Sequence, residues 1–256
     1  YGSTPLHRAA GNGHVEAMRC LVETANPNIE AKDDDGWTPL HHAARNGHVD
    51  AVRYLVEKAN ANVEAKSNFG STPLHWAARY GHVDAVQYLL ETAKADVEAK
   101  TKYGYTPLHN AARNGHVDAM QYLVEKANAN VEAKDNDGWT PLHYYAARNG
   151  HVYAIWYLVE KANANVEAKN DLDGSTPLHF AAYKGQVDAM QYLVEKANAN
   201  VEAKNDKYGA TPLHYAANNG HFDAMRYLVE KANANVEAKN DLDGSTPLHF
   251  AAYKGQ

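Results

Sequence analysis

The stretch Thr38-Pro39-Leu40-His41-His42-Ala43-Ala44-Arg45-Asn46-Gly47-His48-Val49-Asp50 is one of eight near-copies in a chain of 256 residues. Its opening tetrapeptide recurs at Thr4, Thr72, Thr106, Thr140, Thr176, Thr211 and Thr246. The spacing is 34 residues through the first five copies and 36, 35 and 35 after them. A unit of this length cannot bury its apolar face alone, so copies must stack on their neighbours. The fold expected is all-α, a repeat solenoid, and its function is then a matter of surface.

Local rules build the unit. Thr38 can cap a helix with its hydroxyl, and Pro39 sets the backbone at the first helical position, where a missing N–H costs nothing. Leu40, Ala43 and Ala44 form the inward face of this first helix, and Gly47 supplies a left-handed stop. A second helix follows, with Asp50 in its first turn and Lys58 in its last, each suited to the dipole end it sits near. Val49, Val52, Leu55, Val56 and Ala59 recur at helical spacing as a buried stripe. Asn60, the residue type that best replaces glycine in a left-handed stop, ends it. Ala61 to Gly70 then returns as an extended hairpin with a polar tip from Lys66 to Phe69.

Net charge is -6, from 31 acidic and 25 basic residues spread evenly, so no basic stripe awaits a phosphate backbone and no nucleic-acid partner is expected. No apolar run approaches membrane-spanning length, so no membrane insertion is expected. The lone Cys20 permits no internal disulfide, which fits an intracellular, cytoplasmic setting. It takes the place of a tyrosine in the first unit, and we expect it half-buried and unreactive. Of 15 histidines, eight belong to the tetrapeptide and six follow the second glycine, which leaves His42 outside the pattern. A metal or catalytic centre needs nonperiodic partners converging on one point. No Cys-x-x-Cys, His-Glu-x-x-His, phosphate-cradling glycine loop or nucleophile elbow is present. The expectation is no enzyme, no cofactor and no metal ligand.

In most copies the unit reads Thr-Pro-Leu-His-x-Ala-Ala-x-x-Gly-His-Val-Asp, and over all 256 residues it resembles the ankyrin repeat family. The resemblance implies an ankyrin-type stack of helix-turn-helix units with β-hairpin-like loops, in a single array over residues 1–256. About seven full units start near Gly2, Gly36, Gly70, Gly104, Gly138, Gly174 and Gly209, with a partial unit from Gly244. The family's period is about 33 residues. Here Ala59-Asn60 and its equivalents stand for the helix-ending glycine and account for one more. Where the family often carries a hydroxylatable asparagine, this chain has Glu30, Glu64, Glu98, Glu132, Glu167, Glu202 and Glu237, so hydroxylation there is not expected.

Comparison of the units separates framework from surface. Glu-Ala-Lys is identical in all seven copies that contain it, whereas the residues just before the threonine and just after the histidine vary. The resemblance implies that both variable positions, with the hairpin tips and the end of helix one, line a concave partner-binding face. That face is rich in rings and arginines: Trp37, Arg45, Phe69, Trp76, Arg79, Tyr80, Tyr103, Tyr105, Arg113, Trp139, Tyr144, Arg148, Phe180, Tyr183, Tyr208 and Tyr215. Such anchors bury much area at low rotamer cost. The function expected is a protein-interaction module, part of a larger adaptor or scaffold, that binds a protein or extended peptide there. The competing readings are that these rings merely finish the core, that the array is a structural spacer, or that it is an engineered, consensus-like scaffold. Residues 158–186 and 228–256 are identical over 29 positions, which duplication or design would each explain.

Four further expectations follow. Tyr54, Tyr88, Tyr122, Tyr157, Tyr192 and Tyr227 form a structural ladder on helix two. Tyr153 and Trp156 mark a second contact patch on the outer, convex side. The extra residue of unit five, Tyr144-Tyr145, bulges helix one and pushes one tyrosine into the groove. Unit eight has no second helix, so Leu248, Ala251 and Ala252 lack full cover. Either the parent chain continues there or that end meets something, end-to-end self-contact included.

Overall fold

Each tetrapeptide threonine caps a first helix, and the histidine three places on links that helix to the next repeat. The computed structural model describes residues 2–146 and 150–253, with 144–146 by backbone alone. Thr38 is extended, and its amide donates to Nδ1 of His41 at 3.1 Å. Nδ1 is therefore the accepting nitrogen, so Nε2 carries the proton and donates to the Ser71 carbonyl at 2.9 Å. The same link runs from His7 to Trp37, His75 to Tyr105, His143 to Ser175, His179 to Ala210 and His214 to Ser245.

The described residues form helices α1 (Pro5–Gly11), α2 (Val15–Ala25), α3 (Pro39–Arg45), α4 (Val49–Glu57), α5 (Pro73–Arg79), α6 (Val83–Glu91), α7 (Pro107–Arg113) and α8 (Val117–Gln121, continued by a π turn Tyr122–Lys126). They continue with α9 (Pro141–Ala146, π-helical), α10 (Val152–Trp156, continued by a π turn Tyr157–Lys161), α11 (Pro177–Lys184), α12 (Val187–Glu195), α13 (Pro212–Asn218), α14 (Phe222–Glu230) and α15 (Pro247–Tyr253). By their contacts they gather into two compact units, Tyr1–Ala111 with His116–Asn130, and Ala112–Gly115 with Val131–Gln256. Within the first, α1, α3 and α5 pack side by side, and so do α2, α4 and α6. Within the second, α11, α13 and α15 form one row and α10, α12 and α14 the other.

Of the expected helix-two stripe, Val52 and Leu55 are buried while Val49, Val56 and Ala59 are half-buried, and Ala51 is buried in their stead. Tetrapeptide leucines such as Leu40, Leu74 and Leu178 are enclosed with the paired alanines, and helix two adds Leu55, Leu89, Leu123, Leu158, Leu193 and Leu228. Each such leucine contributes about 2 kcal/mol, spread over nearest-neighbour contacts as stacking requires. At the far end Leu248 and Ala252 are exposed as expected, while Ala251 is buried.

Gly47 shows why glycine ends helix one. Its φ is +72°, and a Cβ there would lie 2.5 Å from Nδ1 of His82. That histidine sits on the glycine and donates from Nε2 to the Arg45 carbonyl at 2.8 Å. Helix two ends on left-handed Asn60, φ +54°, as the sequence implies. Its last turns are one residue wide of the ordinary α-helix stop: Ala59 N–H bonds to Tyr54 O and Ala61 N–H to Leu55 O. The extra residue per repeat is absorbed in that widening.

The loops return without a β-ladder among the described residues. Each hairpin is closed by a backbone bond such as Ser67 N–H to Ser71 O, 3.0 Å, and by a side-chain acceptor at its base. Asp33 Oδ1, for example, accepts from the Asp35 and Trp37 amides. The invariant glutamate joins loop to loop, since Glu64 Oε1 accepts from Asp96 N–H at 2.8 Å and the pattern repeats from Glu30 to Glu202. In the longer tips the closing bond spans one more residue, Asn170 N–H to Ser175 O, and the Asn170 side chain fills the interior. The doublet Tyr144-Tyr145 is taken up by the π geometry of α9, where the equivalent first helices α3, α5, α11 and α13 are α-helical. Where its tyrosine side chains go lies outside the described residues, as does Arg148.

Candidate partner-binding surface

In the first compact unit the variable positions converge. Trp37 ends the hairpin before α3, Trp76 lies one turn into α5, and Arg45, Arg79 and Tyr80 sit at the ends of those helices. The Trp37 and Trp76 rings meet at 4.3 Å between centroids, and Trp76 stacks on Tyr80 at 6.3 Å. The Arg45 guanidinium lies 5.2 Å from the Trp37 ring and 5.4 Å from Tyr80, and that of Arg79 lies 5.2 Å from Trp76. Contacts of this kind contribute about 0.5–1 kcal/mol each at exposed sites. On the loop tips Phe69 and Tyr103 stack at 6.4 Å, and both are more than half exposed (54% and 53%). Tyr103 leans on half-buried Tyr105 at 5.9 Å.

Two expected anchors are not presented. Trp37 is 9% exposed and Trp139 5%, so neither offers a partner much area. In three repeats the residue before the threonine meets the residue after the next repeat's histidine. Trp76 lies over Trp37, Phe180 meets Trp139 edge-on at 4.1 Å, and Tyr215 hydroxyl bonds to Ser175 Oγ at 2.8 Å. The ring-bearing surface is therefore carried by Trp76, Tyr80, Phe69 and Tyr103 rather than by the tryptophan before the threonine.

Trp76 carries a feature that periodicity does not reveal. Its indole Nε1 is enclosed and finds no hydrogen-bond acceptor among the described residues. An orphaned buried donor costs about 1–3 kcal/mol. The chain uses phenylalanine, with no such donor, at the same position in repeats six and eight, Phe180 and Phe250.

The second compact unit holds a separate ring cluster. Phe180, Tyr183 and Tyr215 lie 6.2–6.5 Å apart, and a cleft of about 300 Å³ beside them is lined by Tyr183, Tyr208, His214, Tyr215, Leu242 and Phe250 among others. Tyr215 is fixed by bonds to Asp173 and Asn205. Burial and the Asp173 carboxylate push its phenol well above the usual range, while the same hydroxyl helps hold Asp173 low against its own burial. Arg113 is exposed on α7. On helix two Tyr153 is 81% exposed and Trp156 39%, the latter beneath the Lys161 ammonium.

Other groups resolve into framework. The helix-two tyrosines reach the preceding repeat's glutamate, as Tyr88 does to Glu57 at 3.1 Å and Tyr192 to Glu160 at 3.0 Å, and burial with that neighbour raises both to about 12. Cys20, expected half-buried, is exposed. His42, the aperiodic histidine, donates to Asp33 Oδ2 at 2.8 Å. Burial pushes the Asp33 carboxyl up, but the bonds from His42 and the Trp37 amide outweigh it and hold it below its ordinary value. His7, Asp33 and His42 bring their ligand atoms within 4.8 Å of one another, yet both nitrogens of His7 are engaged by Thr4 and the Trp37 carbonyl. A metal there would have to break the link between repeats one and two. No described helix is long and apolar enough to cross a membrane.

A family model described as ankyrin repeats (3 copies) matches residues 1–67, 59–135, 127–205 and 197–256, which together span the chain. No curated protein matches it. Ankyrin repeats generally serve as protein–protein interaction modules. With cap, link, helix pair and loop recurring from copy to copy, and the family model matching from end to end, the chain belongs to the ankyrin repeat family.

Proposed function

We propose that this chain is the interaction module of a cytoplasmic adaptor or scaffold, and that it binds an extended segment of a partner protein across the helix-one ends and loop tips of repeats two to four. Trp76 carries the reading. A ring needed only to finish the core would be better supplied by phenylalanine, whereas an indole kept with its N–H unmade is a cost retained for something else. Around it the exposed Tyr80, Phe69 and Tyr103 give contact area at low rotamer cost.

Peptides selected from a displayed library on the full chain test this. Tyr80→Ala with Tyr103→Ala should weaken them at least about tenfold, as loss of interface anchors does, and Tyr153→Ala with Trp156→Ala should leave them unchanged. Trp76→Phe should also weaken binding while keeping stability within about 1 kcal/mol of the parent, because relief of the orphaned donor offsets the lost ring volume. Unaltered affinity in the first variant, or dependence on Tyr153 and Trp156 alone, would place the binding surface elsewhere.

A further inference from the structure

Arg45 and Arg79 have no carboxylate within ion-pair distance among the described residues, although the chain carries an acidic excess. The surface arginines Arg19 and Arg226 each hold a nearby acid, Glu16 and Asp223, on their own helix. Arg45 and Arg79 instead lie over rings, half-buried. A guanidinium packed over a ring face can still offer its edge N–H groups to a carboxylate in bidentate fashion. Asp33 is engaged by His42 and by its own loop. Asp34 and Asp35 sit at the exposed tip, separated from Arg45 by the seven residues of α3, about 10 Å of helix.

We propose that the partner segment recognised here is an acidic peptide. An aspartate or glutamate side chain seats on the Arg45 and Arg79 guanidinium edges, and an adjacent apolar residue rests on the Phe69 and Tyr103 rings. The inference rests on the binding surface proposed above and names the chemistry that surface selects. Charge complementarity fixes the register: the carboxylate is drawn to the helix-one ends and kept from the acidic tip of repeat two.

Fluorescence anisotropy with the full chain and short synthetic peptides provides the test. The series holds one phenylalanine and varies its neighbours as glutamate, glutamine, lysine or phosphoserine. The glutamate peptide should bind at least about tenfold tighter than its glutamine counterpart, and the advantage should shrink as salt rises. Arg45→Gln with Arg79→Gln should erase the difference, and Arg45→Glu with Arg79→Glu should transfer the preference to lysine. Glutamate and glutamine peptides that bind equally, yet both fail on the Tyr80→Ala/Tyr103→Ala variant, overturn the acidic preference and leave the surface standing. Binding of the phosphoserine peptide alone assigns the arginines to phosphate and likewise overturns it. If no peptide binds in a manner that depends on Tyr80 and Tyr103, both the preference and the surface are wrong.

Discussion

Histidine at the third position of helix one serves two repeats at once, and only in its neutral form. Its Nδ1 accepts from the capping threonine while Nε2 donates to the next repeat, so a second proton would meet a donor. Burial lowers His41, His75, His143 and His179 to about 4, and lowers His7 and His214 as well. Unfolded histidine titrates near pH 6.5. Between about pH 6.5 and 4 the unfolded chain therefore takes up protons that the folded chain refuses, so stability falls as pH drops through that window and is level above it. The differential approaches roughly 3 kcal/mol for each fully buried ring, and several together exceed the usual margin of about 5–15 kcal/mol. Urea midpoints taken from about pH 7 down to pH 4 should fall steadily, with unfolding complete near the acid end. A midpoint independent of pH would contradict the assigned tautomer. Periodicity marked these histidines as structural. It did not show that Trp37 and Trp139 are covered, because burial before the threonine depends on which side chain the following repeat places over it.

Helix two ends one residue wide, and every repeat meets that demand with a left-handed residue. Six of the seven are asparagine, from Asn26 to Asn233, but repeat three uses Lys94 at φ +59°. A residue with a longer side chain is penalised there by about 1 kcal/mol, and asparagine by less. Lys94→Asn should raise unfolding free energy by about 0.5–1 kcal/mol, and Asn60→Lys should lower it by a similar amount in chemical denaturation. No gain from the first would mean that the wide turn, and not the residue, sets the conformation. Most elements were legible: both helices, the glycine and asparagine stops, and the bulge of α9 follow from spacing, caps and the one-residue insertion. The loops were legible only in outline. Their closure rests on single backbone bonds and on side-chain acceptors as varied as Asp33, Ser67, Thr101 and Asn170, which no simple pattern announces.

Within each compact unit the constant residues join repeat to repeat, and the variable ones lie at helix-one ends and loop tips. Histidine, glutamate and tyrosine ladders fix the framework, and Tyr80, Phe69 and Tyr103 with Arg45 and Arg79 lie outside those ladders. The residues proposed for binding stand out in the sequence because they vary against a constant background. The orphaned indole of Trp76 and the lack of a carboxylate beside Arg45 and Arg79 among the described residues could not, since both depend on what the neighbouring repeat fails to provide. Hydrogen exchange on the full chain, with and without a selected peptide, tests the binding surface most directly. Added protection should concentrate in residues 37–46, 67–81 and 101–110, with α4 and α6 unchanged on their outer sides. Protection confined to the outer helices, or to residues 150–161, would contradict it.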